Sequence, residues 1–422
     1  MIVASALLVL FALALLAISL STLFLATYAW WDPGQRNRTG FPELDDGEDA
    51  LHFSLIVPCR HETEEVMRTT IGRLLGQSHQ RLDVVISVGH DDPETVATAQ
   101  RIAAETPDRV AVSIDYSESK NKPRQMNTAL AMCHGDVVGV FDAESVAAHD
   151  LLRKIEAAFR STGADAVQGA VQLVNYRDSW YALRNCLEYF IWFRSRLHAH
   201  ARMGFIPLGG NTVFVRRALL ADVGGWDADC LAEDCELGVR LSTLKHRIVV
   251  AYSPELVTRE ETPDSVRALV KQRTRWSLGF MQVYAKGQWR TLPRLSERIT
   301  AWWTLTQQHL MALTGIAVPA SIALAIFGKF PLGVTMITFL PLIATLATVA
   351  LEVCMLREFG RDHAFRIRLR DYVTLVVSTP AYHLLLAVAA VRAFWKFQGG
   401  DFRWEKTAHK GSHLTYLGAE TR

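Results

Sequence analysis

Asp136-Val137-Val138-Gly139-Val140-Phe141-Asp142-Ala143-Glu144 is the stretch on which the reading of the fold turns. An unbroken apolar run ends abruptly in two acids. A strand that is apolar on both faces must be covered on both faces, and that is the mark of a mainly parallel sheet flanked by helices. Three earlier runs have the same character: FSLIVP at residues 53–58, LDVVISVG at 82–89 and RVAVSID at 109–115. Between them lie amphipathic stretches that predict helices at 61–77, at 93–104 and from residue 121 onward. A further strand is expected at 212–215. The alternation predicts an α/β domain with a Rossmann-like sheet. In such sheets ligands bind beyond the carboxyl ends of the strands, so the chemistry should follow the apolar runs.

The chain has 422 residues, 50% of them hydrophobic, with a formal net charge of +2. A nearly neutral balance predicts no nucleic-acid partner. The six cysteines are scattered, with no C-x-x-C pair, which suits free thiols in a reducing compartment better than structural zinc. Apolar residues concentrate at the two ends. From Ile2 to Trp31 there is no charge, and about 20 apolar residues suffice to span a bilayer. Trp30 and Trp31 suit the interface, and Arg36 and Arg38 follow, placing the next domain in the cytoplasm by the positive-inside tendency.

Three more apolar segments are expected at about 299–327, 332–355 and 372–394, with Arg357, Arg361, Arg366, Arg368 and Arg370 between the last two. Four full crossings would leave the tail outside, whereas Lys396, Arg403, Lys406 and Lys410 argue for the inside. Pro380 makes a kinked or re-entrant fourth segment an alternative. The expected organisation is a membrane helix at 1–31, a linker at 32–52, a cytosolic catalytic domain with interfacial helices at 53–295, a membrane region at 296–396 and a tail at 397–422. The expected location is the cell membrane, multi-pass.

Polar groups do follow the apolar runs. On an extended segment Asp142 and Glu144 point the same way and could share one hard cation; two solvated loop acids are the plainer alternative. Arg60, His61 and Glu62 follow the first strand and Asp91 and Asp92 the second; they suit base or ribose recognition. Asp91-Asp92-Pro93 would equally start a helix. Lys120, Lys122 and Arg124 form a basic cluster fit for phosphate or for solvent. Gly209-Gly210-Asn211 permits close approach of a ligand, or is a turn. Glu233, Asp234 and Glu236 open a helix, where acids complement the helix dipole; Asp234 is also a candidate general base. Burial among acids would raise its pKa and the helix terminus would lower it. In Gln272-Arg273-Thr274-Arg275-Trp276, a helix puts Gln272, Arg275 and Trp276 on one face, with donors for a pyrophosphate and a flat platform for a sugar ring.

Assembled, these motifs resemble family 2 glycosyltransferases of the cellulose, chitin and hyaluronan synthase type. The acid pair Asp91-Asp92, the D-x-D variant Asp142/Glu144, the pair Glu233-Asp234 and the Q-x-x-R-W of Gln272, Arg275 and Trp276 occur in the family's order, over residues 50–290. Trp404-Glu405-Lys406-Thr407-Ala408-His409 looks like a tail element of a bacterial subgroup. The resemblance implies a GT-A fold, a nucleotide diphosphate sugar (a UDP-sugar above all), Mg²⁺ or Mn²⁺, and inversion by single displacement. It implies Asp234 as base beside Glu233, and Asp142 and Glu144 as metal ligands. It also implies donor contacts from Glu62, Asp92, Lys122, Asp142, Gln272, Arg273 and Arg275, and acceptor contacts from Trp276, Gly210 and Asn211. Glu144 departs from the usual second aspartate. Among acceptors, a growing polysaccharide exported through the enzyme's own helices is favoured over one or a few sugars on a membrane lipid, the layout shared with ceramide glucosyltransferases. A non-catalytic nucleotide-sugar-binding membrane protein fits the acid set less well.

Overall fold

Side chains of the first strand alternate between two cores, and that alternation sets the layers of the domain. In β1 (Phe53–Cys59), Phe53, Leu55 and Val57 enter one apolar cluster and Ile56 the opposite one. The computed structural model describes residues 2–31, 49–118 and 121–405, so Arg36, Arg38, Lys120, Lys406, Lys410 and the end of the Trp404–His409 motif lie outside the described residues.

The remaining strands are β2 (Leu82–Gly89), β3 (Val110–Asp115), β4 (Val137–Val140), β5 (Ala166–Gly169), β6 (Val171–Leu173), β7 (Val213–Arg216), β8 (Ile248–Ala251) and β9 (Thr258–Glu260). Seven form one sheet in the order β3-β2-β1-β4-β7-β5-β8. β7 runs antiparallel to both neighbours and every other adjacent pair is parallel, so the sheet is mixed. β6 and β9 pair separately, in parallel.

The helices are α1 (Ile2–Trp31), α2 (Glu64–Leu75), α3 (Pro93–Glu105), α4 (Lys122–Leu130), α5 (Leu151–Thr162), α6 (Trp180–Ile191), α7 (Leu197–Arg202), α8 (Arg217–Asp222), α9 (Glu233–Thr243), α10 (Val266–Lys286), α11 (Leu295–Phe327), α12 (Leu332–Asp362) and α13 (Leu369–Gln398). A π-helical turn, Trp192–Arg196, joins α6 to α7. Side-chain caps explain several starts. Thr63 accepts from Val66 N and so begins α2 later than residue 61, while Ser265 accepts from Ala268 N at α10. α10 ends at Gly287, whose φ of 73° suits glycine.

α1, α12 and α13 are long and apolar enough to cross a membrane, as is α11 if its two halves count as one span. The pronounced bend falls in α11, not at Pro380: its halves, Leu295–Ala312 and Thr314–Phe327, meet at 55°. Pro380 sits within a continuous α13.

α13 stays against the catalytic domain along its length. Asp371 accepts from Arg177 at 2.9 Å, Thr379 Oγ1 accepts from Arg184 at 2.7 Å, and Tyr382 donates to Glu188 at 2.7 Å. Beyond its end Glu405 is gripped by Arg392 and Lys396, and Arg275 lies 6.0 Å from the Trp404 ring. The described start of the tail therefore lies beside the catalytic domain. α1 and α12 join the same core through Ala26, Leu351, Met355 and Phe359, so the apolar helices and the sheet are packed as one body.

Candidate active site

The acids after β4 do not sit on the strand. β4 ends at Val140, and Ser145 N donates to Asp142 O at 3.0 Å, closing a turn. The i, i+2 strand spacing expected for Asp142 and Glu144 is therefore replaced by a turn, which still brings both to one cavity of about 1470 Å³. Glu62, Lys122, Gly210, Asn211, Glu233, Asp234, Gln272, Arg273, Arg275 and Trp276 line the same cavity. Eleven sequence-separated expectations thus converge once Asp142 is counted with them, and Glu144 makes a twelfth.

Asp92 is the exception. It caps α3, accepting from Thr95 N at 3.3 Å and from His61 N at 2.6 Å, and it does not line the cavity. These bonds hold its carboxyl below the usual range against the opposing effect of burial. Asp91 pairs with Arg60 at 2.9 Å. The basic cluster is also divided: Asn121 caps α4, Arg124 pairs with Asp229, and Lys122 enters the acid group.

Lys122 is the central cation. Its Nζ donates to Asp142 and, at 2.7 Å, to Gly210 O. Its pKa is raised: burial acts to lower it and is outweighed by the charges of Asp142, Glu233 and Asp234. Gly210 has no room to spare. A Cβ there would lie 3.1 Å from Asp234 Oδ2 and 3.2 Å from Lys122 Nζ.

Glu233 and Asp234 begin α9. Burial raises both carboxyls above their ordinary range. For Asp234, Cys235 N at 2.7 Å and Lys122 oppose the shift but do not cancel it, so burial prevails over the helix terminus. A buried carboxylate with a raised pKa is a stronger base toward a hydroxyl proton.

Glu260, which the sequence did not single out, completes the acid group. It is buried, donors from Ser145 and Asn211 hold its Oε1, and its carboxyl is pushed well above the usual range by burial and then by Asp142 and Glu144. Asn211 is thereby committed to orienting groups: its Nδ2 serves Glu260 and Ser145, and its Oδ1 accepts from Asp142 N at 3.4 Å. Asp142, Glu144 and Glu260 thus act on one another as like charges, with Lys122 as the counter-charge on Asp142. Asp49, His79 and Glu156 also bring ligand atoms within 4.8 Å of one another, but they lie off the cavity. There Glu156 accepts from His79 at 2.7 Å and from Ala50 N at 3.0 Å, and Gln80 N donates to Asp49 at 2.7 Å; these bonds fasten residues 49–51 to α5.

α10 supplies the remaining wall. Gln272 is buried and its Oε1 has no hydrogen-bond partner among the described residues. Arg273 does not reach out: Glu188, Asn185 at 2.6 Å and Tyr382 hold its guanidinium, which lies 4.5 Å from the Trp276 ring centre. Tyr189 is a second neighbour, 6.2 Å between centroids with the rings tilted by 45°, so Arg273 and Tyr189 together fix the orientation of the indole.

Comparison with known proteins bears on this arrangement. Residues 50–279 match the family described as "Glycosyltransferase like family 2". A β-monoglucosyldiacylglycerol synthase of Trichormus variabilis is 27% identical over 299 residues, covering 69% of this chain and 62% of that protein. The chain thus spans less than two thirds of that relative's length. A poly-β-1,6-N-acetyl-D-glucosamine synthase of Staphylococcus aureus is 21% identical over 253 residues, 57% of each chain. Among solved structures, the mannosyltransferase PcManGT from Pyrobaculum calidifontis, in complex with GDP-Man and Mn²⁺, superposes with a TM-score of 0.61 at 20% identity, covering 92% of this chain and 99% of that one. At that identity the likeness shows the fold, a mixed α/β GT-A sheet.

Proposed function

Because the chain belongs to the family 2 glycosyltransferases, we propose that it transfers a sugar, with inversion, from a nucleotide diphosphate to a membrane lipid, and that Asp234 is the general base. The observation that carries the lipid acceptor is the cavity's continuity. One space runs from Asp142 and Asp234 to Thr22 on α1, Val318 on α11 and Thr345 on α12. An amphiphile can keep its chains among apolar helices while its hydroxyl reaches the acids. The diacylglycerol named in the Trichormus relative is an acceptor of that kind. A polysaccharide acceptor, the first expectation from sequence, keeps support from the Staphylococcus relative.

In this reading the sugar nucleotide lies over the turn after β4. Asp142 and Glu144 would hold Mg²⁺ or Mn²⁺, which would neutralise charge developing on the departing diphosphate. Gln272 Oε1, buried and without a hydrogen-bond partner among the described residues, is available to a donor hydroxyl, and Arg275 offers charged N–H groups to phosphate. The acceptor oxygen attacks the anomeric carbon while the bond to the diphosphate breaks and its electron pair leaves with the nucleotide. Asp234 takes the hydroxyl proton. Lys122 holds Asp142 and the Gly210 backbone in register with that base. Trp276 is the platform for a sugar or a head group, and its fixed orientation limits the entropy lost on binding. With the apolar helices in the bilayer, the catalytic domain and the start of the tail share one face, the cytoplasmic one.

The test is the product's solubility. The purified protein, in bilayer nanodiscs containing diacylglycerol, is supplied with a panel of labelled nucleotide sugars and a divalent metal. Label extracted into organic solvent as a small glycolipid is the expected result; label retained as a long water-soluble polymer would replace the lipid reading with the polysaccharide one.

A further inference from the structure

The membrane-facing part of the cavity carries a cation that nothing in the transfer chemistry uses. α6 and its π-turn present Arg184, Glu188 and Arg196 to this wall, α10 presents Arg273, and α12 presents Glu352. Four of these five are paired. Arg184 donates to Glu352 at 2.9 Å, with Leu375 O and Thr379 as further acceptors, and Arg273 donates to Glu188. Glu188 also accepts from Tyr382. Arg196 is left with no hydrogen bond or ion pair among the described residues, and its Nε is buried.

Glu188 and Glu352 act on this half-buried guanidinium only through space, so its N–H donors have no acceptor of their own and suit an anionic ligand. The backbone supports the same reading. Arg196 closes the π-turn Trp192–Arg196, and single π-turns inside helices are enriched at functional sites. The same cavity also takes in apolar and hydroxylic side chains, among them Thr22, Ile191, Phe193, Met311, Leu342 and Thr348. Such a lining suits acyl chains better than a hydrated ion.

We propose that Arg196 binds the phosphate of an anionic lipid whose chains occupy the space between α1, α11 and α12. A phosphate diester or monoester offers a planar guanidinium two oxygens at once, and the neighbouring acids are already satisfied by Arg184, Arg273 and Tyr382. The site lies in the same cavity as Asp142 and shares with the acceptor the space among the apolar helices, and its occupation does not require transfer to occur.

Native mass spectrometry of the full chain in detergent, without sugar nucleotide, tests it. The probes are dioleoyl phosphatidic acid, dioleoylglycerol and inorganic phosphate. The wild-type protein should hold phosphatidic acid at least tenfold more tightly than dioleoylglycerol. Arg196→Gln should weaken phosphatidic acid by roughly ten- to a hundredfold, as expected for lost charge-assisted bonds, and leave dioleoylglycerol unchanged. Arg196→Lys should fall between. Equal wild-type affinity for the two lipids overturns the proposal, as does unchanged binding of phosphatidic acid by a folded Arg196→Gln protein. Displacement of the lipid by inorganic phosphate at the same concentration would also overturn it, by making this a site for free phosphate. If the Gln variant does not fold, the wild-type lipid comparison decides alone. Because no donor is present, failure here leaves the transferase reading standing.

Discussion

Replacing Lys122 by Met should shift the pH dependence of transfer, and the structure sets the size of the shift. A Cβ on Gly210 would stand 3.1 Å from Asp234 Oδ2 and 3.2 Å from Lys122 Nζ, so those two atoms are no farther apart than the two contacts laid end to end, about 6.3 Å. Two unit charges at that separation interact by about 2.6 kcal/mol at an effective dielectric constant of about 20, just under two pH units. The positive lysine favours the ionised carboxylates, so its removal raises the pKa of Asp234 and Glu233 beyond the elevation that burial already imposes. A general base works only when deprotonated. Activity lost as pH falls should therefore be lost at a higher pH in the variant, by about one to two units, with the deficit greatest on the acid side and partly recovered in alkali. The assay is kcat/KM for nucleotide release across pH at saturating divalent metal, with Lys122→Arg as the variant that keeps the charge. An acid limb that does not move in a folded Lys122→Met protein would refute the placement of Lys122 beside the base.

Asp142→Ala and Glu144→Ala should each weaken metal-dependent donor binding and lower turnover by at least about 100-fold, since the cation's share of leaving-group stabilisation is several kcal/mol; full wild-type activity in chelator contradicts this. Trp276→Ala should cut acceptor use by about tenfold or more while nucleotide affinity in calorimetry changes little, and Trp276→Phe should retain part of the activity because some stacking surface remains. If the ring only anchors the helix, alanine lowers stability and leaves specific activity per folded molecule intact. Gly210→Ala should press on Asp234 and Lys122 and reduce turnover about tenfold, with unfolding free energy changed by less than about 1 kcal/mol; a normal rate would show that the acid and lysine can yield.

The strands were legible because apolar runs buried on two faces leave an unambiguous trace; β2 spans the expected 82–89 residue for residue. β4 ended early because the last ladder bond, Phe141 N to Ile56 O at 3.0 Å, is followed at once by the turn that Asp142 O closes, and composition does not register that change. Asp92 shows how one residue type serves two ends: Asp-Asp-Pro carries the signal of a helix cap as strongly as that of a ligand contact, and the cap is what the backbone uses. Glu260 was hidden because β9 is three residues long and pairs with β6 outside the main sheet, so no periodicity announces it. Arg273 and Arg275 are two residues apart and look interchangeable in sequence. The partners that hold Arg273, Glu188 and Tyr382, come from helices distant in the chain. The side of the tail could not follow from counting apolar segments, because α13 has the composition of a crossing helix and the contacts of one lying against the catalytic domain.

The central claim is that the buried acids after β4 and at the start of α9 perform sugar transfer, with Asp234 taking the acceptor's proton. The most direct measurement compares wild type with Asp234→Asn in lipid nanodiscs, following nucleotide release and labelled glycolipid together while nucleotide affinity is measured by competition. The change keeps the side chain's shape and removes its basic oxygen, for which a loss of about 10²–10⁴-fold in transfer is expected. Transfer should collapse by that factor in Asp234→Asn with nucleotide binding within a few-fold of wild type; glycolipid formation at a near-normal rate in the variant would contradict the account.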